Sequence, residues 1–349
     1  FGYEAAQGGR PYVTEDHLAA FDDVGVLFKG PVTIPPGDTS AFVDVDSHRY
    51  EGGSRRFTSG NQVFRKTFQL FANVRPAKTF TGVAAGLQVL GYGAQNCPRH
   101  LRRFLAAASP DVDIVVVREN TEGMYTGEET WVDDTTVEGI KRTTATACRR
   151  VAGFALELAR VEGRSRVTVA HKANVMKRGD GLLLDQCRLA AEDSGHFVVH
   201  KGPCRTLPPP APVLDDQLAD SLLYDLVRDP ASFDVILADN LMGDLISDTT
   251  GGVVGSLGLL GSANVGERHA LFEPSHGSAP DIAGQGVANP ASQILAGCLM
   301  LRHLGEADAA RSVGAALNDA FARGCLPQDL GGTASTADVA AAVVSALNN

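Results

Sequence analysis

The run FDVILADNLMGDLISD, ending at Asp248, constrains this chain more than any other. Val235, Ile236, Leu237 and Ala238 make a short apolar stretch between polar neighbours, the pattern of a strand covered on both faces. The chain then turns through Asp239 and Asn240 and is expected to enter a helix near Gly243. On that helix Asp244 and Asp248 stand four residues apart, so both carboxylates leave one face, at the strand end where open α/β sheets place their ligands. Two hard oxygen donors on one face suit Mg2+ or Mn2+, although a lone D-x-x-x-D is more often a solvated acidic face. Against that plainer meaning, Gly251, Gly252, Gly255, Gly258 and Gly261 recur beside few charges and point to close backbone packing.

A chain of 349 residues is long enough for two domains. Its 41 acidic against 31 basic side chains give a net charge of −10, which disfavours nucleic acid or an anionic membrane as the main partner. No apolar run approaches the roughly 18 residues of a membrane span, and residues 1–15 lack the order of a signal peptide. Cys97, Cys148, Cys187, Cys204, Cys298 and Cys325 are scattered without a C-x-x-C pair, which fits thiols in a reducing compartment such as the cytoplasm.

In chain order, a short helix is expected at His17 to Phe21 and a strand at Val24 to Phe28. KGPVTIPPG reads as a loop, and Asp38 to Arg56 as a patternless surface excursion. A helix starts near Ser59, and Arg75 precedes Pro76 in extended backbone. Strands at Ile114 to Val117 and Val167 to Ala170 alternate with helices at Ala145 to Arg160 and Leu182 to Asp193. That alternation predicts an α/β fold with a mostly parallel sheet and helices on both faces. Further helices are expected at Ser221 to Val227 with Asp220 at its head, at Ala291 to Leu304, and at Ala337 to Leu347 with Thr336 as its cap. No G-x-G-x-x-G follows a strand, so a Rossmann site has no support.

Arg65, Arg75 and Arg118 lie at element edges, and a guanidinium fork is the natural partner of a carboxylate, although singly each is more often a surface ion-pair residue. Lys172, at a strand terminus between His171 and Asn174, could act as a base, and Tyr125 as an acid. His276, Gly277 and Ser278 sit in a glycine-containing loop that would let backbone approach a flat ligand.

The segments RKTFQLFANVRPAK, VVVRENTEGMYTGEE, AHKANVMKRGDG, DNLMGDLISD and LFEPSHGSAPDIAGQGVANP occur in that order. Together they resemble the β-decarboxylating hydroxyacid dehydrogenases, the family of isocitrate, 3-isopropylmalate, homoisocitrate and tartrate dehydrogenases. The resemblance implies a homodimer with shared active sites. It also implies a large cofactor-binding domain from residues 1–75 and 255–349 and a small dimerisation and metal/substrate domain from residues 76–254. Arg65, Arg75 and Arg118 would hold substrate carboxylates, with Ser59, Asn61 and Asn174 as further substrate contacts. Asp244 and Asp248 of one subunit with Asp220 of the other would bind Mg2+ or Mn2+. Lys172 would take the hydroxyl proton, and Tyr125 would return a proton after CO2 leaves. Thr33, Glu273, His276, Gly277, Ser278, Ala279, Asp281, Ile282 and Asn289 would line the dinucleotide. Asp281 and Ile282 stand where NADP-using relatives carry Lys-Tyr, and Gln328 and Gly332 add no cation, so the resemblance implies NAD.

Ser59 and Asn61 match the S-x-N pattern by which isocitrate enzymes grip the γ-carboxylate, although Ser59 could also simply cap its helix. A polar wall is a poor home for an isopropyl group, so isocitrate is the first expected substrate. Homoisocitrate, a phosphonate analogue, 3-isopropylmalate and tartrate stand behind it, and a non-catalytic regulatory subunit is the reading from another class. The insertion at 38–56 departs from the family's short connection, and its Arg55 and Arg56 could serve a longer or more charged substituent. The strand and G-D-G-I-G turn with which relatives open do not occur after Phe1, from which we expect a first strand that precedes it, and a mitochondrial matrix location stays open.

Overall fold

A computed structural model describes residues 12–32, 43–83, 111–204 and 211–348. Strand β11 (Val235–Ala238) is wholly buried at the heart of a sheet that has nine strands among the described residues, ordered β1-β13-β12-β4-β5-β11-β8-β10-β9. Its neighbours β5 (Asp113–Glu119) and β8 (Arg166–His171) run parallel to it, with Val235 opposite Val115 and Val167. Beyond β8 lie β10 (Val213–Leu218) and the short β9 (Val198–Val199), also parallel. On the other side β4 (Ala72–Lys78), β12 (Gly261–Val265) and β13 (Ala270–Pro274) are joined antiparallel, and β1 (Val26–Phe28) lies parallel at the edge.

Alternation along the strands assigns the two faces. Val115, Val117, Val167, Val169, Val235 and Leu237 pack under α3 (Ala145–Val161) and α4 (Gly179–Ser194). Ile114, Val116, Ile236 and Ala238 point the other way, toward α5 (Ala219–Arg228) and α6 (Asn240–Val254). Helices α7 (Ala291–His303), α8 (Ala307–Ala322) and α9 (Thr336–Leu347) complete the cover. A third cluster joins α1 (Glu15–Val24), α2 (Gly60–Thr67) and a hairpin of β2 (Val43–Asp46) and β3 (Ser54–Phe57).

That hairpin corrects the expectation of a patternless excursion at 38–56, of which residues 38–42 lie outside the described residues. Alternation in VDVD turns Val43 and Val45 inward onto Phe64 and Phe68, and the two aspartates outward. Helix α6 begins at Asn240 rather than near Gly243, because the Asp239 side chain accepts from Met242 N at 2.8 Å and caps it. The cap of α9 is Ser335, in a capping box with Asp338, while Thr336 is the first helical residue. Helix α8 escaped the sequence because its buried face is mostly alanine (Ala310, Ala316, Ala320), which carries little periodic signal. The close packing expected of the glycines holds at Gly251, Gly258 and Gly261, where an added Cβ would stand 2.7–2.8 Å from neighbours. Gly252 has open space instead.

Candidate active site

Parallel strands β5, β11 and β8 end at the same edge of the sheet, and their last residues are Glu119, Ala238 and His171. Because β4 runs antiparallel to β5, its early residues face the end of β5, with Asn73 opposite Arg118. This register brings Arg75 and Arg118 together, and α6, which follows β11, lays Asp244 and Asp248 against them.

Arg75 Nη1 lies 3.1 Å from Asp244 Oδ1 and 3.2 Å from Asp248 Oδ1, and it donates to Ser247 Oγ at 2.8 Å. Arg118 donates to Asp244 through Nη1 and to Asn240 Oδ1 through Nε (2.9 Å) and Nη2 (2.7 Å). The Tyr125 hydroxyl donates to Asp244 Oδ2 at 2.7 Å, and Arg118 lies over its ring at 5.1 Å. Arg65 donates to Asn264 Oδ1 at 3.0 Å and to Glu273 Oε1 at 3.3 Å. Beneath them Glu273 is fully buried in an ion pair with Lys29 and accepts from Asn264 at 3.0 Å.

The electrostatics follow from crowding three guanidiniums into one buried corner. Burial and the positive charges of Arg65 and Arg75 pull Arg118 below the ordinary guanidinium value, a penalty that a bound anion relieves. Burial would raise the Asp244 carboxyl, but Arg118, Arg75 and the Tyr125 hydroxyl overcome it and leave it below the usual range. Tyr125 is raised by burial and by its bond to Asp244, so it holds its proton and can give it away.

Helix α2 supplies the other wall. Ser59 caps it, accepting from Gln62 N at 3.2 Å, which is the plainer role foreseen for that residue. Asn61 keeps a buried Oδ1 without a protein partner. Gln62 and Lys66 turn away to bind the carbonyls of Tyr125 (2.7 Å) and Thr126 (2.8 Å), which fixes the turn that carries Tyr125. Arg56 pairs with Asp44 across the hairpin, and Arg55 lines a separate cleft with Lys66.

Lys172 and Asp220 form a second group, with Lys172 Nζ 2.6 Å from Asp220 Oδ1. Neither makes an ion pair or hydrogen bond with Tyr125, Asp244 or Asp248 among the described residues. Asp180, 2% exposed, accepts from Lys172 N at 2.7 Å and from Lys141 at 2.6 Å, and Lys141 reaches Asp239 at 2.6 Å. Asn174 is exposed nearby.

Asp244 and Asp248 offer hard oxygens of the kind Mg2+ or Mn2+ takes, already gathered around one cationic nitrogen. They are a partial set: among the described residues no three acidic, histidine or cysteine side chains of this chain could hold a metal together. The donors therefore fit a divalent ion whose remaining ligands come from elsewhere.

The loop after β13 is open to solvent. His276 Nδ1 contacts Gly277 O at 2.9 Å, Ala279 adopts a left-handed φ of 44°, and Asp281 and Ile282 sit in an exposed turn with Gly277 and Ser278 beside them. Asn289 bonds Asp329 at 3.0 Å, and Thr336 N reaches Gly286 O at 2.8 Å, so the 328–336 segment backs this loop. Thr33 lies outside the described residues.

Sequence reasoning missed Asn73, Asn240 and Asn264. Asn264 Oδ1 accepts from Arg65 (3.0 Å), Asn73 (2.9 Å) and Asn120 (2.9 Å), and so fixes the arginine nearest Glu273. For Asn73 and Asn264, asparagine within the strands of a buried sheet was the available signal, since the residue is depleted there.

An α/β sheet edge carrying clustered arginines, two metal-suited carboxylates and a proton-holding tyrosine defines an enzyme of small polyanionic substrates. The isocitrate/isopropylmalate dehydrogenase family model matches residues 2–343. A 3-isopropylmalate dehydrogenase of Archaeoglobus fulgidus is 43% identical over 81% of this chain and 76% of its own length. The mitochondrial NAD isocitrate dehydrogenase subunit alpha of Bos taurus is 39% identical over 80% of this chain and 67% of its own. The crystal structure of isocitrate dehydrogenase from Methylococcus capsulatus superposes with a TM-score of 0.80 at 33% identity, covering 100% of this chain and 89% of that one. The chain belongs to the isocitrate/isopropylmalate dehydrogenase family, as a β-decarboxylating dehydrogenase of a 3-substituted malate.

Proposed function

We propose that the chain catalyses NAD-dependent, divalent-metal-dependent oxidation and decarboxylation of isocitrate to 2-oxoglutarate and CO2, as a homodimer with shared sites. Arg65, Arg75 and Arg118 bind and orient the substrate carboxylates, and Ser59 and Asn61 meet the γ-carboxylate, with Asn174 at the rim. Asp244 and Asp248, with the partner subunit's Asp220, would hold Mg2+ or Mn2+, whose charge eases loss of the hydroxyl proton and draws the electron pair released with CO2. The partner subunit's Lys172 accepts the hydroxyl proton. Tyr125 delivers a proton to the carbon that lost its carboxylate. NAD, the hydride acceptor when bound, would lie along Thr33, Glu273, His276 to Ala279, Asp281, Ile282 and Asn289, on a unit of residues 1–75 and 255–349 set against residues 76–254. Asp281 favours a free ribose hydroxyl over a 2′-phosphate.

The observation that carries the substrate is the polar head of α2, where Asn61 Oδ1 is buried without a partner and no leucine is offered. The identity to a 3-isopropylmalate dehydrogenase favours isopropylmalate as the second reading. Initial rates on isocitrate, homoisocitrate, 3-isopropylmalate and tartrate, each with NAD and NADP and with Mg2+ before and after chelation, decide between them. The expected outcome is the highest kcat/KM for isocitrate, NAD preferred by about tenfold or more (at least ~1.4 kcal/mol), and loss of turnover in chelator. Highest efficiency on 3-isopropylmalate would overturn the substrate assignment, and equal use of NADP would overturn the role of Asp281.

A further inference from the structure

The inserted hairpin β2–β3 does not reach the arginines of the active site. It walls a cleft of about 430 Å3 on the other side of α2, closed by the 266–269 turn and by Arg150 of α3. Gly266 permits this closure, since an added Cβ would stand 3.0 Å from Gln69 O and 3.1 Å from Phe68 O. One cation in the cleft is neutralised locally: Arg49 pairs with Asp22 (2.7 Å) and Glu15 (3.3 Å), and the His269 ring lies 2.9 Å from Asp22. Among the described residues, Arg55, Lys66, Arg150 and Arg268 line the same space without a carboxylate ion-pair partner, and Glu267 is the remaining acid of the lining. Arg55 lies over Phe57 at 5.4 Å and Arg150 over Phe71 at 4.4 Å, with Arg150 Nε buried and lacking a hydrogen-bond acceptor. Burial, and then the charge of Arg55, lower the Lys66 ammonium, and the opposing charge of Glu128 does not restore it.

A local excess of positive charge in a chain of net charge −10 requires a reason. We propose that this cleft binds a compact polyanion, of the phosphate or polycarboxylate kind, between Arg55 of the hairpin, Arg150 of α3 and Arg268 of the 266–269 turn. The site is independent of the substrate assignment above, shares none of its residues, and lies one side chain from it, because Lys66 also holds the carbonyl of Thr126. A bound polyanion would clamp the inserted hairpin to the body of the molecule.

Isothermal titration of the full chain at low ionic strength with inorganic pyrophosphate, and separately with tricarballylate, tests this. Arg55 and Arg268 are exposed, so the fold should survive their removal, which circular dichroism and a melting curve verify. Binding of at least one probe is expected, with the component outside the active-site arginines weakened at least tenfold in R55A/R268A, to a lesser degree in each single variant, and retained in R75A. The probe that binds names the ligand kind. The proposal fails if neither probe binds, if binding survives intact in the folded R55A/R268A protein, or if R75A abolishes it.

Discussion

Glu273 is buried beneath the arginine cluster with Lys29 and Arg65 against it. Burial alone would raise its carboxyl; Lys29, Arg65 and the Asn264 amide reverse this and hold it at about 2, against 4.5 in an unperturbed chain. A carboxyl depressed in the folded state stabilises that state fully above the unfolded value and loses this contribution as pH falls. The window here runs from about 4.5 down to about 2. Glu273→Gln leaves Lys29 buried without its counter-charge, for which a loss of about 3–5 kcal/mol in urea unfolding at neutral pH is expected. The wild type should lose more stability than the variant across the acid window, where the Glu273 contribution disappears. Parallel pH profiles of the two proteins would show that Glu273 is not held in its charged form.

Helix α6 turns the central strand into a site, and Gly243 lets it do so. A Cβ there would lie 2.7 Å from Arg118 Cβ and 3.2 Å from its Cα, closer than real contacts allow, and β5 fixes that backbone on both sides. Gly243→Ala is therefore expected to cost about 1–3 kcal/mol of stability through overpacking, and to raise KM severalfold by displacing Arg118. Gly252→Ala, in the same helix with open space around it, should be neutral or stabilise by up to about 1 kcal/mol. Thermal unfolding and steady-state kinetics on the pair check this, and equal effects at both positions would remove the close-approach explanation. The sequence displayed this element well, because a four-residue apolar run followed by D-N-L-M-G-D carries both strand and helix signals. It displayed the arginines as residue types but not their meeting, which depends on β4 running antiparallel to β5. The β12–β13 pair and the hairpin of β6 (Glu129–Asp133) and β7 (Thr136–Gly139) were silent for another reason: both are local hairpins, but the polar Asn264 and Glu273 break the apolar pattern of the first, and the second is exposed along its whole length.

At the scale of the whole molecule, the proposed proton acceptor and proton donor stand in separate groups. Tyr125, Asp244 and Asp248 share one corner with three arginines, while Lys172 pairs with Asp220. Around them large apolar side chains face solvent: Trp131 and Val132 on β6, Val175 after Lys172, Tyr224 on α5 and Leu245 on α6. Such surface beside the proposed site is what the proposed two-fold dimer, in which each chain lends Lys172 and Asp220 to the other, would cover. Co-refolding or subunit exchange between Lys172→Met and Tyr125→Phe chains tests this most directly. Each homodimer should be inactive, whereas every hybrid should contain one site with both residues intact, restoring on the order of a quarter of wild-type activity at equal mixing. No recovery, with hybrid dimers demonstrated by mass spectrometry, would contradict a site shared between two chains.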